Sequence, residues 1–131
     1  TKMVNKKIAL PNLISPNSNL SKHIKLGKGN FINQLVHIGA ESIIGNNNII
    51  NTGAVLEHQT KIGSNSHIGP KVIIGGNVKI GNNVFLGLGT KIINKVKICS
   101  NCIVGAGSIV VKNITKPGIY VGSPAKKIKN L

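Results

Sequence analysis

The sequence predicts an all-β protein wound as a parallel solenoid of short strands. The first observation is a period of six, because Ile, Leu or Val stands at every sixth position from Ile14 to Val110 without a gap. An amphipathic helix would repeat its apolar residues about every 3.6 positions, and a half-buried strand about every second position. Aliphatic anchors spaced by six residues instead indicate hexapeptide repeats stacked in coils.

The other two observations come from the positions between the anchors. The second residue before an anchor is small or β-branched in most repeats, as at Ser42, Thr60 and Val78. Strand alternation predicts that this residue points inward with the anchor and that the residue between them points outward. The three positions after an anchor are rich in Gly and Asn, which tolerate the left-handed backbone of a corner. Three repeats per coil then make a triangular prism.

The repeat also divides the chain into three parts. Residues 1–13 lack it and contain Pro11, so we expect a lead-in strand or arm there. Residues 14–115 form the solenoid, whose roughly 5.7 coils at about 4.8 Å each predict a prism about 27 Å tall. Residues 116–131 are turn-rich and are predicted to form a C-terminal cap, because the last coil would otherwise expose an open strand edge.

The outward positions predict how the solenoid assembles. They form three columns of residues eighteen apart: Lys25, Ile43, Lys61, Lys79, Lys97 and Thr115; Phe31, Ile49, His67, Phe85 and Ile103; and Asn19, His37, Val55, Ile73, Lys91 and Ile109. The first column suits solvent, whereas the other two are mostly apolar, and apolar stripes of this length mark contact surfaces. We therefore predict a homotrimer that covers two faces and leaves the lysine column wet, with a monomer as the alternative.

The charge is lopsided, with 17 basic residues, all of them Lys, against two acids and a net charge of +15. Nucleic-acid binding is disfavoured because Arg is absent, aromatic residues are scarce and the lysines are scattered along the repeats. A basic surface that attracts a small polyanionic ligand fits better. The sequence has no long apolar run and no apolar N-terminal signal segment, so we expect a cytoplasmic protein without a membrane contact.

Cys99 and Cys102 form a lone C-x-x-C motif. The register places Cys102 inside the coil and Cys99 on an outer corner, so the two cannot bind one metal ion together. We expect two free thiols in a reducing compartment.

Candidate chemistry falls on the histidines, because the chain has only the acids Glu41 and Glu57 and cannot build a paired-carboxylate site. His23 and His37 are expected to be solvent or interface residues. His58 lies on a corner beside Glu57, and Gly76, stacked above it, is expected to leave room for a ligand.

His67 lies on the apolar stripe of another face, so the two imidazoles of one chain point apart. In a trimer, His67 of one chain can approach His58 of the next, which predicts a site at the subunit junction. A zinc site is disfavoured because the chain lacks the H-x4-H pair of the γ-type carbonic anhydrases.

Three features together resemble the left-handed β-helix acyltransferases: the unbroken hexapeptides, the corner at His58 and the ending V-G-S-P-A-K at residues 121–126. The segment N-T-G-A-x-x-E-H at residues 51–58, with a second histidine nine residues later, resembles a narrower group. That group is the sialic acid O-acetyltransferase and nucleotide-amino-sugar N-acetyltransferase family. The resemblance covers residues 11–128 and implies left-handed winding.

The resemblance also implies roles for residues at the catalytic end of the site. His58 would be the general base, a task suited to an imidazole because its ordinary pKa lies near neutral pH. The family usually has an acidic residue directly after this histidine, whereas this chain has the uncharged Gln59, and Glu57 is the candidate substitute. His67 would contact the acetyl carbonyl and stabilise the oxyanion that develops on it.

For the donor, the resemblance implies contacts at Gly76, Leu88 and Ala106. Gly87 and Gly105, in one column with Gly69, would let pantetheine lie against bare backbone, or are corner glycines that the turn requires; the two interpretations are compatible. Lys126 and Lys127 would hold the 3′-phosphate of coenzyme A.

The sequence therefore predicts an acetyltransferase that uses acetyl-CoA and no metal to modify an amine or hydroxyl of a sugar. A nucleotide-linked amino sugar is the favoured acceptor and a sialic acid is the second. The resembled family commonly carries an N-terminal α/β domain that binds the nucleotide sugar, and only about ten residues precede the match here, so a missing domain is expected. The alternative function is a non-catalytic solenoid that acts as an assembly or scaffold module.

Overall fold

The computed structural model describes residues 10–131, and most of the predicted lead-in at residues 1–13 therefore lies outside the described residues. The described residues contain strands and turns but no helix that could cross a membrane. The strands are β1 Leu13–Ile14, β2 Asn19–Leu20, β3 Lys25–Leu26, β4 Phe31–Ile32, β5 His37–Ile38, β6 Ile43–Ile44, β7 Ile49–Ile50, β8 Val55–Leu56, β9 Lys61–Ile62, β10 His67–Ile68, β11 Ile73–Ile74, β12 Lys79–Ile80, β13 Val84–Leu86, β14 Lys91–Ile92, β15 Lys97–Ile98, β16 Cys102–Val104, β17 Ile109–Val110, β18 Gly118–Gly122 and β19 Ala125–Lys129.

The strands form the three faces of the prism. Each face is a sheet of parallel strands that contains every third strand of the chain from β1 to β17. We call them the apolar face (β1, β4, β7, β10, β13, β16, continued by β18 and β19), the mixed face (β2, β5, β8, β11, β14, β17) and the lysine face (β3, β6, β9, β12, β15). Partners lie eighteen residues apart, as in His67 beside Phe85 and Lys79 beside Lys97. This register confirms the predicted β-solenoid with three repeats per coil. Its left-handed winding stays a prediction.

The anchors line the interior as the period of six predicts. Every anchor from Ile32 to Val110 is buried, and so are the predicted inward positions, including Ser42, Thr60 and Val78. The exception is the first described coil, where Ile14 is 42% exposed because no described coil lies below it. Each coil therefore buries its aliphatic residues against its neighbours, which is the main source of stability in a solenoid.

Two asparagines, Asn30 and Asn48, occupy inward positions that most repeats fill with a small or β-branched residue. The Asn48 side chain donates to the Gly63 carbonyl over 2.9 Å, and its Oδ1 accepts the Ser66 backbone N–H at 2.9 Å. Asn30 makes the equivalent bonds one coil below, to the Gly45 carbonyl and the Asn48 N–H. These amides hold successive coils together where the corner backbone would otherwise leave polar groups unpaired.

Replacing Asn48 with Ala should lower the free energy of unfolding by about 1–3 kcal/mol, because it leaves a buried N–H and a buried carbonyl without partners. The measurement is thermal or denaturant unfolding followed by circular dichroism. Asn46→Ala is the control, since Asn46 also accepts a backbone N–H from the coil below, at 2.8 Å, but at an exposed corner where water can replace it. Equal losses of unfolding free energy in the two variants would contradict a special role of the buried Asn48 amide.

The C-terminal segment differs from the turn-rich cap that the sequence suggests. Strands β18 and β19 form an antiparallel hairpin, and β18 pairs in parallel with β16, so that Ile103 lies beside Ile119. Ile114 bridges to Ile98 at the end of the lysine face. The hairpin thus continues the apolar face and covers the edge of β16.

The cysteines are both free, as predicted, but the outer-corner position predicted for Cys99 is wrong. The turn after Ile98 brings the half-buried Cys99 back toward the core, and its Sγ lies 3.5 Å from Sγ of Cys102. Burial, together with the hydrogen bond and charge of Cys99, raises the pKa of the Cys102 thiol to about 12. Cys102 therefore stays a neutral thiol at physiological pH.

Candidate active site

The site residues lie on the corners between the three faces. The corner that follows the mixed-face strands contains residues 39–41, 57–59, 75–77 and 93–95 in successive coils, and we call it the histidine corner. The corner that follows the apolar-face strands contains residues 69–71, 87–89 and 105–107, and we call it the glycine corner. Because the chain visits the faces in a fixed order, these are different vertices of the triangle.

His58 is exposed at the histidine corner, and its ring lies against the coil above. A Cβ added to Gly76 would sit 2.5 Å from Nε2 and 2.7 Å from Cε1 of His58. The sequence suggested that Gly76 leaves room for a ligand. In the structure the imidazole of His58 fills this space. A side chain at position 76 would displace the ring from this position.

Gln59 connects His58 to an acid that the sequence analysis did not select. Its backbone is left-handed, with φ of 57°, which turns the side chain along the corner. Oε1 of Gln59 lies 3.2 Å from Nδ1 of His58, and its Nε2 donates to Oε2 of Glu41 over 3.0 Å. Glu41 precedes Gln59 by eighteen residues and so lies directly below it in the stack, which is the signal that could have identified it.

Glu57 does not contact the ring. The side chain is exposed, and among residues 10–131 its carboxylate makes no hydrogen bond to His58. Its backbone carbonyl instead accepts the Thr60 hydroxyl at 2.7 Å, which closes the turn. Glu57 therefore shapes the histidine corner through its backbone, and the acid connected to His58 is Glu41.

His67 is half-buried on the apolar face and is held from two sides. Its ring packs edge-on against Phe85, with centroids 5.2 Å apart and an interplanar angle of 83°. Asn51 Nδ2 lies 3.4 Å from Nε2 of His67, while Oδ1 of Asn51 accepts the Asn33 amide at 3.1 Å. The Asn33 contact orients the Asn51 amide so that its nitrogen faces the ring. A hydrogen bond from this nitrogen to Nε2 requires the ring proton on Nδ1. His67 can thus present an N–H donor.

Three glycines of the glycine corner have no room for a side chain because the next coil or the hairpin lies against them. A Cβ at Gly87 would lie 2.5 Å from the Ala106 backbone nitrogen, one at Gly69 would lie 2.6 Å from the Leu86 carbonyl oxygen, and one at Gly105 would meet Val121 at 2.7 Å. Their missing side chains face the next coil, which supports the corner-glycine interpretation over a bare surface for pantetheine. Leu88 and Ala106, between these glycines and the next turn residue, are exposed.

The remaining candidate residues lie on the hairpin. Lys126 and Lys127 are exposed on β19, where they pair with Val121 and Tyr120 of β18 at the end of the apolar face. One chain therefore brings together His58, Gln59 and Gly76 at one vertex. It places His67, the glycine corner and the terminal lysines elsewhere.

A groove at the first coil and a grouping of possible metal ligands are two other ways in which the described residues could form a site. A groove of about 370 Å³ at the first coil is lined by residues including Leu13, Phe31, Asn33 and Gln34, none of which is an acid or a base. Within the described range, no three His, Cys or acidic side chains come close enough to hold a metal ion.

The repeats place the chain in a known class of sequences. The family model described as bacterial transferase hexapeptide (six repeats) matches residues 59–92. This match agrees with the eighteen-residue strand register, which gives each coil three six-residue repeats.

The solved structures that it matches include acetyltransferases. One is the GDP-perosamine N-acetyltransferase from Caulobacter crescentus, with one histidine replaced by alanine and with CoA and GDP-perosamine bound, at 36% identity and a TM-score of 0.96 over 98% of this chain and 61% of that one. PerB from the same organism, with CoA and GDP-perosamine, matches at 38% identity and a TM-score of 0.95, over 97% and 61% of the two chains.

A third match comes from another organism. The acetyltransferase domain of PglB from Neisseria gonorrhoeae FA1090 is 26% identical, with a TM-score of 0.93 over 97% of this chain and 62% of that one. The chain thus spans about 61% of the length of the Caulobacter proteins. No curated protein matches the sequence significantly.

Proposed function

We propose that the chain is the catalytic solenoid of an acetyltransferase that moves acetyl from acetyl-CoA to the amino group of a nucleotide-linked sugar. The observation that carries the proposal is the hydrogen-bonded imidazole of His58 on a solenoid that superposes on the GDP-perosamine N-acetyltransferase with a TM-score of 0.96. An imidazole with one nitrogen held by a neighbour and the other available is suited to take a proton from an attacking amine.

The proposed reaction assigns each proton a place. The acceptor nitrogen attacks the acetyl carbonyl carbon while Nε2 of His58 takes a proton from it. The nitrogen–carbon bond then replaces the carbon–sulfur bond, and coenzyme A leaves as a thiolate that takes up a proton. The N–H that His67 can present would stabilise the oxyanion formed on the carbonyl.

The separation of the candidate residues within one chain supports a site shared by subunits. The apolar face exposes Phe31, Ile49 and Phe85, while the lysine face is wet and charged. A closed homotrimer would cover the apolar and mixed faces and bring the histidine corner of one subunit to the apolar face of the next. The nucleotide sugar would be bound with the help of a further domain, since the matched enzymes are longer than this chain.

Thiol release from acetyl-CoA tests the proposal directly. The chain is incubated with acetyl-CoA and a panel of acceptors: GDP-perosamine, other nucleotide-linked amino sugars, and a sialic acid as the hydroxyl acceptor. We expect acetylation of the amino group of a nucleotide-linked sugar, with the nucleotide still attached in the product. Acetylation of the hydroxyl acceptor at a higher rate than any amine would overturn the amine preference, and absence of acetyl-CoA binding would favour a non-catalytic scaffold.

The double variant Lys126→Ala/Lys127→Ala should weaken acetyl-CoA binding by roughly tenfold, because two exposed cations near a phosphate each contribute up to about 1 kcal/mol. Binding of dephospho-acetyl-CoA should change little, and the difference should shrink as salt is added. Calorimetry with both ligands measures this. Lys61→Ala/Lys79→Ala on the lysine face removes the same charge and is the matched control. Equal losses for both ligands would place the 3′-phosphate elsewhere.

A further inference from the structure

We propose that Glu41 is a positioning residue for the base: through Gln59 it fixes the tautomer of His58, so that the proton sits on Nδ1 and the lone pair on Nε2. The inference rests on the proposed function, in which Nε2 takes the proton of the acceptor. It assigns a role to an acid one coil away from the imidazole.

The three side chains form one line of hydrogen bonds across two coils. Gln59 Oε1 lies 3.2 Å from His58 Nδ1, and Gln59 Nε2 donates to Glu41 Oε2 over 3.0 Å. Glu41 and Gln59 both have left-handed backbone, with φ of 60° and 57°, and the Gln59 N–H donates to the Ala40 carbonyl at 2.8 Å. The two side chains therefore occupy equivalent corner positions and run along the stack.

The carboxylate decides which way round the amide lies. An amide has a donor end and an acceptor end, whereas an ionised carboxylate can only accept. Glu41 therefore selects the orientation in which the Gln59 nitrogen faces it, and the amide oxygen is turned toward the ring. An oxygen beside Nδ1 can only accept, so the neutral imidazole must carry its proton there and its lone pair on Nε2. This is the tautomer that a base acting through Nε2 requires.

The substitution at position 59 explains why a remote acid is needed. A carboxylate directly after the histidine would select this tautomer by itself, whereas an unassisted glutamine can offer the ring either its oxygen or its nitrogen. With its nitrogen toward the ring, Nδ1 would have to accept and Nε2 would be blocked by the proton. Glu57 cannot resolve this choice because it makes no bond to the ring or the amide in the described part of the chain. Glu41 does.

The tautomer can be observed without any substrate. The chain has four histidines, so its ¹⁵N-histidine spectrum is simple, and the His58 signals are those lost in His58→Ala. Recorded at a pH where the imidazoles are neutral, the spectrum should show His58 protonated on Nδ1. Glu41→Gln keeps the shape but removes the charge, so it should give a mixture of both tautomers. Glu57→Gln removes the same charge from the same corner without touching the amide, and should leave the tautomer unchanged.

Kinetics supply the second measurement. Glu41→Gln should lower kcat by about tenfold, less than the loss of the whole imidazole, because part of the population has the wrong tautomer. The KM for acetyl-CoA should stay within about twofold of the unmodified chain, since none of the proposed donor contacts changes. A loss through general destabilisation would lower the melting temperature and leave the tautomer of the folded protein unchanged.

Exchanging the two residues gives a rescue. In Glu41→Gln/Gln59→Glu the carboxylate accepts directly from Nδ1 and the amide at position 41 donates to it, so the double variant should regain the single tautomer and the rate. Gln59→Glu alone places two carboxylates against each other and should fall short of the double variant. Should Glu41→Gln alone fail to fold, Glu41→Ala supplies the same measurement, because it also leaves the Gln59 amide without the carboxylate that orients it.

The outcomes separate this inference from the proposed function. If Glu41→Gln keeps the tautomer on Nδ1, or the exchange restores nothing, Glu41 is not a positioning residue, whatever the activity. If the tautomer becomes mixed and is restored by the exchange while no acceptor is acetylated, Glu41 positions His58 and the proposed reaction is wrong.

Discussion

Replacing His58 with Ala should lower turnover by about 10²–10⁴-fold, the usual contribution of a general base. The His58 ring is exposed and lies over Gly76, outside the buried core. The fold should therefore survive, and the dissociation constant for acetyl-CoA should stay nearly unchanged. Steady-state assays with a competent amino-sugar acceptor, together with calorimetry of donor binding, measure the two quantities separately.

The control for this change is His23→Ala. His23 is also exposed and occupies the corner one coil below Glu41, so it matches His58 in type and setting. Its loss should leave turnover unchanged. Should His58→Ala abolish binding of acetyl-CoA while the rate per bound donor stays constant, His58 would be a donor contact and not a base.

The second large effect concerns assembly. Phe85→Lys should convert a homotrimer of about three times 13.8 kDa into monomers and remove activity with it. Phe85 is 43% exposed in the single chain and lies in the middle of the apolar face, against His67. A trimer would bury this side chain, and a lysine in its place would bring a charge into an apolar contact without a partner. Light scattering coupled to size-exclusion chromatography measures the mass.

Lys79→Glu is the matched control on the lysine face. It changes the charge at an exposed outward position on the coil of Phe85 and should leave the mass at three chains. Light scattering that gives the unmodified chain as a monomer at micromolar concentration would refute both the trimer and the shared site.

The fold could be predicted in detail because one regularity determines it. The anchors from Ile14 to Val110 fix the strand positions, and the inward and outward columns follow from strand alternation. The register predicts that Asn30 and Asn48 point inward, but it does not predict the hydrogen bonds of their amides, because asparagine is also the common corner residue of the same repeat. Only the hydrogen bonds between coils distinguish the two uses.

The histidine corner could be predicted in part. The segment around His58 points to the imidazole and to Gln59. The supporting acid that it suggests is Glu57, the residue before His58 in the sequence. The acid that is connected to His58 is Glu41, which lies in the coil below. A left-handed corner backbone directs its side chain toward Gln59 along the stack. The C-terminal cap was predicted, but its form as a hairpin was not, because Pro117, Gly118 and Pro124 are typical of turns while the pairing of β18 with β16 depends on the whole solenoid.

The stacking of whole coils makes the solenoid a ruler for its ligand. From His67 to Ile119 on the hairpin the apolar face advances by three strand spacings, which is about 14 Å at roughly 4.8 Å each. A ligand that spans from His67 to the terminal lysines must match that length. Deleting one complete coil between them would keep every anchor in register while shortening the span by about 4.8 Å. If the donor spans this distance, as the proposed function requires, the length of donor that fits changes in steps of one eighteen-residue coil, because only changes of that size leave the core undisturbed.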